Sequence, residues 1–252
     1  MIWPEGIELD FDTRFFALMA IVFIAGIIRG FTGFGSALLA VPALAVLYGP
    51  KQAVVIEVLI EVPVVLGLIP TALREAERKT VLPILGMFAI FVPVGALLLT
   101  VINPVHVKII ISIFVLSAVG VMSQQSRLVG LVSPRANYII GAFSGMTQGL
   151  TGMAGPLFAT ALVARGENAT LTRANISALA AGIIALSVVS FAALGLVTRE
   201  TVLYALLASP AILLGVWTGA RLFRRFAHQN LRGPILVFLA LTALWTLYQT
   251  LV

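Results

Sequence analysis

Gly26-Ile27-Ile28-Arg29-Gly30-Phe31-Thr32-Gly33-Phe34-Gly35-Ser36 and Gly145-Met146-Thr147-Gln148-Gly149-Leu150-Thr151-Gly152-Met153-Ala154-Gly155 are two versions of one pattern. In that register Gly26, Gly30, Thr32, Gly33 and Leu38 recur as Gly145, Gly149, Thr151, Gly152 and Leu157, while Arg29 becomes Gln148. Each copy interrupts a long apolar run with small and polar residues. Lipid cannot hydrogen-bond exposed backbone, so a broken helix at membrane depth persists only where protein or a watery cavity covers it. Breaks at corresponding places in two halves of a chain point to a transporter's binding site.

The surrounding composition places those breaks in a membrane. The chain has 252 residues, of which 60% are hydrophobic and 10% charged, with a mean hydropathy of +1.10. A soluble domain is far more polar. Apolar stretches long enough for a helix of roughly 20 residues recur from end to end, so helices rather than strands are expected to span the bilayer. The net charge of +6 does not point to nucleic acid. The basic residues lie in short connections between apolar runs and form no aromatic-studded basic domain. Cysteine is absent, which excludes disulfides, thiolate metal sites and cysteine nucleophiles. The acidic head, with Glu5, Glu8, Asp10 and Asp12, lacks the basic region of a cleavable signal peptide and is expected to be retained.

The apolar runs are Arg14–Tyr48, Lys51–Leu73, Thr80–Val101, Val105–Met122, Ala136–Ala164, Leu171–Val197, Thr201–Phe223 and Leu231–Val252. The first would be about 50 Å long as one helix, more than a bilayer needs. The first and fifth runs are therefore expected to be re-entrant hairpins broken at the glycines. The expected organisation is an external segment 1–13, a first membrane repeat 14–122, a cytoplasmic linker 123–134 and a second repeat 135–252. Each half is a broken-helix hairpin plus three transmembrane helices in an all-α polytopic protein. An odd number of crossings then inverts the second half relative to the first.

Charge supports the hairpins. With both termini outside, Arg74, Arg78, Lys79, Arg127, Arg135, Arg165, Arg173, Arg221, Arg224, Arg225 and Arg232 become cytoplasmic, while Arg14, Lys51, Lys108 and Arg199 are external. That is the distribution the positive-inside rule asks for. With every run crossing once, the basic clusters fall on opposite sides. The expected location is a cell (inner) membrane.

The hairpin tips are the candidate site. A half-helix begins after each break, with Ser36 suited to cap the first and Pro156 to the first turn of the second. Free amides and the positive dipole end at such N-termini favour an anion. The candidate substrate-binding residues are Arg29, Gly30, Thr32, Gly33, Gly35, Ser36, Gln148, Gly149, Thr151, Gly152 and Gly155. The competing reading is that the Gly-xxx-Gly pairs Gly26/Gly30, Gly145/Gly149 and Gly215/Gly219 serve close helix packing, and packing is the favoured reading for the last. Arg29 has no loop within reach, so its charge needs a carboxylate, carbonyls or an anionic ligand. Glu57 and Glu61 share a helix face near the bilayer midplane, where two carboxylates resist being ionised together. They are candidates to carry a coupling proton, or to answer Arg29 structurally. Asn175 and Ser177, near Arg173, either line an inner vestibule or cap and solvate that helix end.

Catalysis is not indicated. His106 and His228 fall on opposite sides, so neither a metal-ligand set nor a serine–histidine couple can be assembled, and Gly35-Ser36-Ala37 is no nucleophile elbow. No cofactor or metal is expected, and a phosphate-binding loop is missing.

Gly30-Phe31-Thr32-Gly33-Phe34-Gly35 followed by Pro42, with Gly149-Leu150-Thr151-Gly152-Met153-Ala154-Gly155-Pro156 in the second half, resembles the TauE/SafE family, the sulfite and sulfonate exporter group. With the repeat pattern, the resemblance covers nearly the whole chain. It implies a secondary transporter that exports a small anion, sulfite or an organosulfonate such as sulfoacetate, by alternating exposure of the tips. Partners would be the anion, the lipid bilayer and a coupling proton, without nucleic acid. The alternatives are a non-transporting membrane scaffold and an anion channel.

Overall fold

The structure, a computed structural model, describes residues 13–124, 133, 136–226 and 232–251. These form helices and, among the described residues, no strand. Most of the external head and of the linker lies outside the described residues, as do Arg127, Arg135 and His228.

Both glycine-broken runs divide where the sequence indicates. The first becomes α1 (Thr13–Thr32) and α2 (Ser36–Tyr48), separated by a turn in which Gly33 and Gly35 take φ of 84° and 101°. That left-handed backbone costs a side-chain-bearing residue roughly 1–2 kcal/mol. The later run becomes α7 (Asn137–Thr151) and α8 (Gly155–Val163), parted at Gly152, whose φ is 72°.

The remaining elements are α3 (Pro50–Leu66), α4 (Ile69–Glu75), α5 (Arg78–Val101), α6 (Pro104–Ser123), α9 (Ala169–Ala193), α10 (Arg199–Phe226) and α11 (Arg232–Leu251). The run expected as one segment over Lys51–Leu73 is thus two helices. Pro70, in the first turn of α4, cannot donate to Leu66, and its ring would clash with that carbonyl in a continuous helix. Among the described residues α1, α5, α6, α9 and α10 are long and apolar enough to cross a membrane. Large apolar side chains such as Ile90, Leu97, Phe143, Leu206, Leu214 and Trp245 are exposed on the outside, as a surface solvated by lipid requires.

The helix pairs fold back on themselves. At the open end of the first, the Tyr48 hydroxyl donates to the carbonyl of Arg14 over 3.1 Å. At the open end of the second, Arg165 donates to Asn137 Oδ1. The two bases sit at opposite ends of α5. Lys51, beside the first base, donates to the Thr100 carbonyl at 2.8 Å, while Arg165 reaches Thr80 Oγ1 at 3.4 Å. From Thr80 to Thr100 is about 30 Å of helix, the thickness of a bilayer core. The hairpins therefore enter from opposite ends of the molecule.

Their long arms dock reciprocally. α1 packs on α10 and α7 packs on α5, so each half's first helix lies against the second span that follows the other half's hairpin. Small residues make both crossings. A side chain at Gly26 or Gly30 would run into the α10 backbone at Ile212 and Val216, and one at Gly215 or Gly219 into the α1 backbone at Phe23 and Ile27. At the other crossing, Gly149 abuts the α5 backbone at Val92 and Ala96, and Gly95 abuts Met146. Without a hydrophobic drive between helices in lipid, such close backbone approach supplies the packing energy. The packing reading thus holds for all three Gly-xxx-Gly pairs. The paired contacts, in which α3 meets α9 and α6 meets α11, are compatible with an inverted repeat.

Candidate functional site

The tips meet. A Cβ at Gly155 would lie 3.6 Å from that of Phe34, so the break of one hairpin touches the start of the short arm of the other. Beneath them is a cavity lined from the first hairpin by Arg29, Gly35 and Ser36, and from the second by Gln148, Gly152 and Gly155. α3 contributes Glu57 and Glu61, and α9 contributes Ala180, Ile183 and Ile184. Glu61 lies about 15 Å along α3 from Lys51, placing the cavity near mid-depth. The centres of water-sized molecules have about 40 Å³ to occupy. At roughly 10–15 Å³ per water, that is room for a solute of a few heavy atoms.

Arg29 and Glu61 are an ion pair, Nη2 to Oε2 at 2.9 Å, with side chains 11% and 6% exposed. The second carboxylate oxygen of Glu61 accepts from the Ser36 hydroxyl. The expectation that Ser36 caps α2 is thereby corrected. Gly35 is the N-cap and α2 has no side-chain cap, because a buried carboxylate from α3 takes the hydroxyl instead. Such an acceptor is stronger than a neutral one. Pro156 does occupy the first turn of α8.

Two groups in the cavity wall have bonding capacity to spare. Both carboxylate oxygens of Glu57, a residue 1% exposed, lack a hydrogen-bond partner. Gln148, 3% exposed, accepts at Oε1 from the Ala154 amide over 3.0 Å, holding the second break in shape. Its Nε2 is buried and unpartnered. An unpaired buried polar group costs on the order of 1–3 kcal/mol. A free amide donor, an arginine and a carboxylate whose oxygens make no hydrogen bond are groups that can hold an anionic solute and take up a proton.

Other residues singled out in the sequence lie elsewhere. Gly30 and Gly149 face α10 and α5 at the helix crossings. Gly33 shapes the turn without lining the cavity. Thr32 donates to the Ile28 carbonyl at 2.8 Å and its oxygen takes the Phe34 amide at 3.3 Å. Thr151 donates to the Thr147 carbonyl at 2.7 Å. Both hydroxyls are thus engaged with their own helix or turn, and neither lines the cavity. Asn175 is fully buried and accepts from the Glu77 amide at 2.7 Å, so it secures the corner between α4 and α5. Ser177 donates to the Arg173 carbonyl at 2.9 Å. Ala180, Ile183 and Ile184 went unforeseen, since apolar residues on an apolar helix give no signal. In the register of the two glycine patterns, however, Ala180 occupies the place of Glu61.

The family model described as "Sulfite exporter TauE/SafE" matches residues 18–246, nearly the whole chain and both hairpins. The chain belongs to the TauE/SafE family. It is a multi-pass membrane transporter of that family, with several helices able to cross a bilayer. No curated protein and no solved structure matches the chain. Among the described residues no cluster of His, Asp and Glu could hold a metal ion.

Proposed function

We propose that this TauE/SafE member is a secondary transporter that exports a small anion, sulfite or a small organosulfonate, through the cavity at the hairpin tips. The observation carrying this reading is the meeting of Arg29, the unpartnered Nε2 of Gln148 and the first amides of α2 in one mid-depth cavity. Helix-initial amides have no intrahelical acceptor, and the dipole there favours negative charge. Arg29, Gln148 and the backbone at Ser36 and Gly155 hold the anion. Glu57 and Glu61 carry the proton. Rocking of one half against the other about the touching tips exposes the cavity to each side in turn.

Orientation follows from charge. Arg74, Arg78, Lys79, Arg165, Arg173, Arg221, Arg224 and Arg225 lie toward the base of the second hairpin, whereas Arg14, Lys51, Lys108 and Arg199 lie toward the base of the first. By the positive-inside rule the second base is cytoplasmic, the termini are external, and the location is the cell (inner) membrane. Uptake of labelled sulfite into inside-out vesicles tests the function. Accumulation above protein-free vesicles that disappears in Arg29→Ala supports export. Uptake equal in the two proteins removes the site, and conductance without proton movement would favour a channel.

A further inference from the structure

The pairing of Arg29 with Glu61 sets a condition on any anion that enters. Glu61 Oε2 occupies the guanidinium at 2.9 Å, so the carboxylate is a tethered competitor for the cation a substrate needs. If the anion took Arg29 while Glu61 stayed ionised, two negative charges would share one positive charge in a buried site beside Glu57, where repulsion is strong. The surroundings offer Glu61 no other cation. α2 has no charged residue, α9 carries only Arg173 near its start, α6 has His106 and Lys108 in its first turns, and the charges of α10 lie near its two ends. Arg29 and the two glutamates are the ionisable groups lining the cavity.

We propose that an anion displaces Glu61 from Arg29 only as the Glu57–Glu61 pair gains one proton, so that anion and proton occupy the site together and cross together. The proton binds a carboxylate oxygen and leaves with the anion on the far side. Glu61 itself takes that proton, and the unbonded oxygens of Glu57, one helical turn away, are placed to accept the hydrogen bond its carboxyl then donates. A bound monoanion then replaces the Glu61 charge one for one, and the loaded site carries the same net charge as the empty one. Transport of a monoanion is therefore electroneutral and co-directional with the proton, and export is driven by the anion's own outward gradient. This rests on the reading of the cavity as the transport site.

Sulfite binding to purified protein, followed calorimetrically in two buffers of different ionisation enthalpy, counts the protons taken up. Comparison of wild type with Glu57→Gln/Glu61→Gln at one pH cancels the titration of sulfite itself. The expected result is about one more proton per anion in wild type. Equal uptake by both proteins overturns the proposal and leaves the transport site standing, whereas absence of sulfite binding to wild type removes the site and the proposal together. Wild-type protein alone gives a second reading. In proteoliposomes at mildly acid pH, where sulfite is chiefly the monoanion, uptake should be unchanged by an imposed potassium diffusion potential and should acidify the lumen. Acceleration by an inside-positive potential without acidification contradicts it.

Discussion

The two hairpins break at corresponding positions, after Thr32 and after Thr151, and carry opposite chemistry at their tips. In the first, Arg29 is answered by Glu61 of α3, and Ser36 donates to the same carboxylate. In the second, the corresponding positions are Gln148 and Ala180, and the glutamine secures its own turn through the Ala154 amide. The scaffold is thus built twice, by glycines that admit a neighbouring helix and turn the chain, while charge is placed once. A symmetric pair of arginine–glutamate sites would bury four charges. One charged and one neutral tip bury a single ion pair and still give an anion donors from both sides.

The largest way to break this contrast is to unbalance the charged tip. Arg29→Ala leaves Glu61 and Glu57 buried without a cation, and removing one partner of a buried pair costs about 3–5 kcal/mol. A large fall in melting temperature and loss of sulfite uptake are expected. Rebuilding the first tip as a copy of the second, with Arg29→Gln and Glu61→Ala together, should recover most of that stability, since neutral replacement of both partners is far cheaper. It should not recover transport. Equal melting of the single and double variants would contradict the charge argument.

The shared scaffold gives a smaller, symmetric effect. Gly30→Ala and Gly149→Ala should each cost about 1–3 kcal/mol by overpacking, because each new Cβ meets backbone of the partner helix. A thermal melt that separates the two widely would mean the crossings are not equivalent. Of the same order is Ser36→Ala, which removes one hydrogen bond to a charged group, about 1.5–3 kcal/mol at most, and loosens Glu61. Its expected signature is tighter sulfite binding with a slightly lower melting temperature; weaker binding would make Ser36 a ligand to the anion rather than to Glu61.

The breaks were legible because Gly, Thr, Ser and Arg stand out in apolar surroundings, and because a run from Arg14 to Tyr48 is too long for one crossing. The charge distribution gave the hairpins a direction, and Tyr48–Arg14 and Arg165–Asn137 contacts close them as expected. Ser36 misled because its partner comes from a distant helix, and local capping rules do not see tertiary acceptors. The Thr32 and Thr151 hydroxyls turn back to carbonyls one turn earlier, a common habit of threonine in helices. Arg29 and Glu61 could be singled out as buried charges, but whether they faced each other or a ligand depended on how α1 and α3 pack. The α9 wall was hidden in uniform apolarity.

The central claim is that two hairpins from opposite faces touch at their tips. The chain contains no cysteine, so Phe34→Cys/Gly155→Cys can be made without background. The 3.6 Å between those Cβ positions falls within the disulfide range of roughly 3.5–4.5 Å. Mild oxidation in membranes should form an intrachain disulfide, visible by mass spectrometry, and arrest sulfite uptake until a reductant is added. Two cysteines that each react with a maleimide yet never join would contradict it.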